Sequence, residues 1–376
     1  MVYTKESWPA WLTASVLLLL LIATLLPYRG NITALFHMDG VLASEQPLPP
    51  NFVVLSVPAY DGAQYYLLSR KIPLLLNTET WPSLRERSPG SYAYQRILLP
   101  MVSFLASLGE EATLPYAFLL FNVASLILIA VLLRPPYGLA LALSPAALIG
   151  LHFSLAEPLT LLLTTLFLLR FLRKEDVDFG SSFLLSLLIL TGEVNVFLPL
   201  LLLIYLLWKR KYDAALLTVL PLLAFALWHG TIFWIFSDIP FLLSAGNRVL
   251  PGAAIVELLQ GERSFGALSL SSIALFMLFV LPSTLWIAKE TTLRRNHSFI
   301  TLSAGAFLAL MWIMSPNIWG AITSIGRVIT PVYPLVLFAG AKEDTLVARA
   351  IALCIATLGV LSALGLAAIP HPFTFI

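Results

Sequence analysis

Runs of mostly apolar residues recur along most of this chain, separated by short clusters of Lys, Arg, Pro and Gly. Many are close to the ~20 residues that carry a helix across the hydrocarbon core of a bilayer. Helices that are apolar on all sides must be surrounded by lipid or by one another, so the pattern excludes a set of soluble domains. Composition agrees. Hydrophobic residues make up 59% of the 376 and charged residues only 11%, against about 25% charged in a soluble domain. With 22 basic against 20 acidic side chains, there is no cationic surplus of the kind that drives nucleic-acid binding. The single Cys354 excludes an internal disulfide framework and a Cys-rich metal site.

The sequence therefore predicts an all-α polytopic membrane protein, one membrane domain over 1–376. Eleven spanning helices are expected near 10–28, 114–134, 137–153, 156–173, 180–192, 194–208, 213–236, 267–288, 298–314, 327–341 and 347–369. The first reads as an uncleaved signal anchor, because no small-residue cleavage signature follows it. Basic clusters in short loops face the cytosol: Arg170/Arg173/Lys174, Lys209/Arg210/Lys211, Lys289/Arg294/Arg295 and Lys342/Arg349. Two cytosolic clusters are joined by an even number of crossings. Ser181 to Trp208 is thus expected to be a hairpin, its tip Gly192-Glu193-Val194-Asn195 on the outer side. With Lys5 and the N terminus inside, the stretch 29–113 becomes an extracytoplasmic loop, followed by the remaining transmembrane helices over 114–376. Interfacial helices are expected within that loop at about 60–70 and 97–108, the second too short and apolar to do other than lie along the outer membrane surface.

Scarce charge makes each outer-face ionisable residue a functional candidate. Asp61, in Tyr60-Asp61-Gly62-Ala63-Gln64-Tyr65-Tyr66, is either a helix N-cap or a general base toward a hydroxyl. Asp39 is its rival. Glu157 opens a helix at the outer turn, and Glu193 lies at the hairpin tip; each is also explained by a helix dipole or by solvation. Arg96 begins the apolar surface helix and Arg327 begins the helix 327–341, where snorkelling to headgroups is the competing explanation. His37, His229 and His371 have no metal-ligand spacing and read as structural, while His152 shares the outer turn with Glu157. The sequons Asn31-Ile32-Thr33 and Asn296-His297-Ser298 carry no weight, since such triplets arise by chance. No nucleotide-binding loop, dinucleotide fingerprint, zinc-hydrolase or nucleophile-elbow motif occurs.

One helix, a long outer loop with an acidic residue, then short-looped helices: this layout resembles the GT-C class of membrane glycosyltransferases. Tyr60-Asp61-Gly62-Ala63-Gln64-Tyr65-Tyr66 and Tyr94-Gln95-Arg96-Ile97-Leu98-Leu99-Pro100 are similar to signatures of prokaryotic members distantly similar to GPI mannosyltransferase II. Ser154-Leu155-Ala156-Glu157-Pro158-Leu159 and Gly326-Arg327-Val328-Ile329-Thr330-Pro331 are similar to further short signatures of that group. Where related sequences tend to carry Arg or Lys before the hairpin-tip Glu, this chain has Gly192.

The resemblance implies inverting transfer of a sugar, such as mannose, from a polyprenyl-phosphate-linked donor to an acceptor hydroxyl on a lipid, glycan or protein. It implies a multi-pass location among membrane lipids, in the plasma membrane if the source is prokaryotic, with the N terminus cytosolic and the active site outside. Asp61 would be the catalytic base and Arg96 and Arg327 would bind the donor phosphate. Glu157, Glu193, His152, Gln64 and Tyr65 would bind substrate. No cofactor and no metal are expected, because the one Asp-X-Asp run, in Glu175-Asp176-Val177-Asp178, falls on the cytosolic side. Two other classes compete: a transporter or lipid flippase, expected to show repeats and a midplane site, and a non-catalytic scaffold.

Overall fold

A computed structural model describes residues 8–75, 77–85, 90–174, 176–238, 267–295, 297–314, 318, 322–369 and 371–375. Lys5, Glu175 and Asn296 lie outside the described residues. Among those described, five helices are long and apolar enough to cross a membrane: Trp8–Tyr28, Leu114–Leu132, Tyr212–Phe236, Ser271–Thr292 and Leu346–Ala367. The chain is a multi-pass, largely α-helical membrane protein. Large apolar side chains on these helices remain exposed, among them Leu19, Trp234 and Leu353, as hydrocarbon-facing positions require.

The other expected spans take different forms. Tyr137–His152, Phe179–Ile189, Glu193–Trp208 and Phe299–Trp312 are apolar but shorter. The expected helix 137–153 is broken into Tyr137–Ala142 and Pro145–His152, with Ser144 capping the second part through its contact with the Ala147 N–H. At the break, Gly359 of the last helix lies so close to Leu143 that a Cβ would sit 1.8 Å from its carbonyl oxygen. The expected helix 327–341 is corrected more sharply. Arg327 lies in the last turn of Ile322–Val328, and Val332–Glu343 continues after a 57° bend. Pro331 stands at the break and ends the first helix, since residues before proline avoid helical geometry.

The described residues of the stretch 29–113 are folded, as its aromatic content suggests. Its helices include Asp61–Leu75 and Leu98–Ala106, which replace the expected 60–70 and 97–108. Among the described residues three short strands accompany the helices. β1 (Met38–Asp39) pairs in parallel with β2 (Val53–Leu55), which pairs antiparallel with β3 (Phe373–Phe375) from the C-terminal segment. The tail is thereby tied to the first loop.

Helix direction separates two kinds of polar end. Glu157–Lys174 begins with Glu157 and ends in Arg173 and Lys174; the hairpin segment Glu193–Trp208 begins with Glu193 and leads into Lys209. Arg170 and Lys174 pair with Asp178, and Lys211 approaches Asp176. Arg134 and Arg349 both pair with Asp344. Arg170, Lys174 and Lys211 thus gather at the ends of these two helices opposite Glu157 and Glu193, while Arg134 and Arg349 meet at Asp344.

Candidate functional site

Five charged side chains from five separate segments form one chain of ion pairs. Arg96 donates from Nε and Nη2 to the two carboxylate oxygens of Glu193 at 3.1 and 3.0 Å, and from Nη1 to Asp61 Oδ2 at 3.1 Å. Arg327 donates from Nη2 to the same Asp61 oxygen at 2.9 Å and from Nε to Glu157 Oε1 at 2.6 Å. The order is Glu193, Arg96, Asp61, Arg327, Glu157. Three carboxylates against two guanidiniums leave a formal charge of −1.

Each member is held by its local structure. Asp61 is the first residue of its helix, and the turn before it is pinned by Tyr60, whose N–H donates to the His37 carbonyl at 3.2 Å. The Tyr60 ring stacks on Phe153 at 4.2 Å, its hydroxyl donates to the Thr323 carbonyl, and the Arg327 guanidinium lies over its face at 5.3 Å. Gly62 is required here by close approach. A Cβ at that position would lie 2.0 Å from the Phe153 carbonyl oxygen, so the Asp-Gly pair lets the helix start against the turn that leads to Glu157. Arg96 is gripped by Tyr92, which accepts from Nη2 at 2.8 Å and lies under the guanidinium at 5.2 Å, and by Tyr65, which accepts from Nη1 at 3.3 Å. The Leu98 N–H donates to the Leu190 carbonyl, joining the surface helix to the hairpin beside Glu193.

Burial raises the pKa of the Asp61 carboxyl, but Arg327 and Arg96 together outweigh it and hold the group below the ordinary carboxylate range. Glu193 follows the same logic: burial pushes it up, and Arg96 brings it below its usual value. Asp61 and Glu193 are thus carboxylates that stay charged.

A cleft of about 250 Å³ opens beside the network, and Arg96, Arg327, Glu157 and Glu193 line it. Its remaining wall is partly apolar, with Phe197, Leu310 and Met314, and partly polar, with Thr160, Thr191 and Asn195. Gly192 contributes a bare stretch of wall. Asp61 does not itself line the cleft. It stands behind the two guanidiniums, with 31% of its side chain exposed. Glu157 Oε2 is buried and has no hydrogen-bond partner among the described residues.

Three expected positions fall elsewhere. His152 lines a separate small cavity with His37 and His371, its Nδ1 3.4 Å from Thr24 Oγ1; the helix ends at His152, and Ser154 at φ 51° reverses the chain before Glu157. Gln64 does not line the cleft, and its Oε1 is buried without a described partner. Tyr65 touches Arg96 instead of the cleft. Asp39, the rival base, is an N-cap: Oδ1 accepts from the Leu42 N–H at 2.8 Å and Oδ2 from the Ala59 N–H at 3.1 Å. Sequence reasoning missed Tyr60, Tyr92, Thr160, Thr191 and Asn195. Only Thr160 carried a usable signal, one helical turn after Glu157 and so on the same face. Among protein-family models, curated proteins and solved structures, none matches this chain.

Proposed function

We propose that the chain is an inverting glycosyltransferase of GT-C type that uses a polyprenyl-phosphate-linked sugar, with its site on the extracytoplasmic face. The observation that carries this reading is the pair of guanidiniums lining a half-apolar cleft with a carboxylate directly behind them. Two arginines recognise a phosphate with geometry as well as charge, and the apolar wall suits a lipid-linked donor. The positive-inside rule puts the basic ends of the helices in the cytosol and the network outside.

In the reaction the acceptor oxygen forms a bond to the anomeric carbon, while the bond from that carbon to the phosphate oxygen breaks. The electron pair leaves with the lipid phosphate, whose charge Arg96 and Arg327 stabilise. The hydroxyl proton passes to Asp61. Because both arginines hold Asp61 Oδ2, their turning toward a donor phosphate frees that oxygen to accept. Glu157 and Glu193 bind hydroxyls of the sugar or acceptor. The test is transfer of radiolabelled sugar by purified protein from a panel of polyprenyl-phosphate donors; a panel that yields no transfer, with donor binding also absent, rejects the function.

One observation favours a second reading, that of a lipid or substrate transporter. The bent pair Ile322–Val328 and Val332–Glu343 places a charged residue at a helix break, as transporters do. Substrate-dependent flux across proteoliposomes without covalent transfer supports that alternative.

A further inference from the structure

Beneath the charged network, Thr160, Thr191 and Asn195 are all buried and all line the cleft. Their mutual bonding fixes what they offer a ligand. The Asn195 amide nitrogen donates to the Leu188 carbonyl at 3.2 Å and to Thr191 Oγ1 at 2.9 Å. A carbonyl oxygen only accepts, so the amide cannot be turned the other way round. Both its N–H groups are used, and Oδ1 accepts nothing from the described residues. Thr191 is complete: it donates to Leu188 O at 2.6 Å and accepts from Thr160 at 2.8 Å and from Asn195. With the Thr191 proton on the Leu188 carbonyl, Thr160 gives its one proton to Thr191, which leaves it lone pairs only. Beside them stands the unpartnered Glu157 Oε2.

The cleft therefore presents three acceptors, Glu157 Oε2, Asn195 Oδ1 and Thr160 Oγ1, next to two guanidiniums. A buried acceptor without a donor, as Glu157 Oε2 is, is costly; a ligand that fits supplies several donors beside an anionic group. We infer that Asn195 and Thr160 are specificity-determining residues that read the hydroxyl groups of a sugar attached to the phosphate, and that Thr191 is a positioning residue that orients the Asn195 carboxamide. This rests on the glycosyltransferase reading and adds how the site distinguishes a glycosylated lipid phosphate from a bare one.

The experiment compares binding of polyprenyl phosphate and of polyprenyl-phosphate hexose to the full chain in nanodiscs. Wild type is expected to bind the hexose-bearing lipid more tightly. Asn195→Ala and Thr160→Val each weaken the hexose-bearing lipid roughly ten-fold, the size expected for one hydrogen bond, and leave the bare lipid within about two-fold. Thr160→Ser restores discrimination, and Thr191→Val reproduces the Asn195→Ala effect. Melting curves of each variant in detergent identify any that fail to fold, and Thr160→Ser then carries the comparison with wild type through a panel of deoxy-hexose donors: the preference for the full hexose is kept in both, and its loss from the deoxy donors is equal. Equal weakening of both lipids, or unchanged discrimination in the variants, overturns this assignment while leaving the function standing. Wild type that binds neither lipid overturns both; a phosphoethanolamine lipid preferred over the hexose lipid overturns the sugar reading alone.

Discussion

Arg96 and Arg327 are each shared between two carboxylates, and this sharing sets the consequences of single substitutions. Glu193 has a side chain only 7% exposed, so Arg96→Ala strands a buried charge, and unfolding measurements should show a loss of about 3–5 kcal/mol. Arg96→Lys keeps the charge but loses the planar fork that reaches Glu193, Asp61 and Tyr92 together. It should restore part of the stability and little donor affinity; a lysine variant with wild-type affinity contradicts the bridging role. The residues of the network were legible in the sequence because charge is scarce and the basic loops give an expected side to each helix end. Which of them touch was not legible, since Arg327 and Glu157 are brought together by folding across 170 positions. His152 shows why proximity in sequence misleads: it is five residues from Glu157, but the positive-φ turn at Ser154 sends the two into different cavities.

At the scale of elements, the outer turn and the Asp61 helix are one unit joined at Gly62. Gly62→Ala introduces a methyl where the Phe153 carbonyl already lies. The expected cost is about 1–3 kcal/mol of stability, with loss of activity exceeding what the reduced folded fraction explains, because Asp61 is displaced with the helix. A Gly62→Ala protein with wild-type stability and turnover contradicts this. The three-histidine cluster makes the packing around His37, next to strand β1, sensitive to acid. His37 has ring neighbours His152 at 5.3 Å and His371 at 5.9 Å. Burial first, then repulsion from those two rings, lowers its pKa from 6.5 to about 2. The neutral form is thus the folded one, and stability is full above the unfolded pKa of about 6.5 and falls as pH drops below it. At pH 5 the penalty from this one group is about 2 kcal/mol. Thermal unfolding at pH 7.5 and pH 5 should show that loss, and His37→Asn should reduce it. The helical elements were visible as apolar runs, but their breaks were not: the 57° bend after Val328 and the split at Leu143 leave the hydropathy of the run unchanged. The strand pairing of Phe373–Phe375 with Val53–Leu55 lies beyond local pattern because its partners are at opposite ends of the chain.

For the whole molecule, the central division is between the charged network, where the Glu157 and Glu193 helices start, and the basic residues where they end. With Cys354, the single cysteine, replaced by serine, one new cysteine at exposed Leu108 or exposed Leu293 reports the orientation. A membrane-impermeant maleimide should label Leu108→Cys in intact cells and Leu293→Cys only after permeabilisation; the reverse pattern contradicts the extracytoplasmic placement. The same division explains how much of the architecture could be read in advance. An expected orientation can be read from short basic loops, whereas the cleft arises where the hairpin tip, the Glu157 helix and the bent Arg327 segment converge, an arrangement that only tertiary packing creates.

The most direct measurement is sugar transfer from a polyprenyl-phosphate donor by wild type and by Asp61→Asn, with donor binding measured on the same preparations. Loss of a general base lowers turnover by about 10²–10⁴-fold. The account predicts a fall in kcat of that size with donor affinity kept within a few-fold, because Arg96 and Arg327 remain to hold the phosphate. An Asp61→Asn enzyme that turns over at the wild-type rate contradicts it.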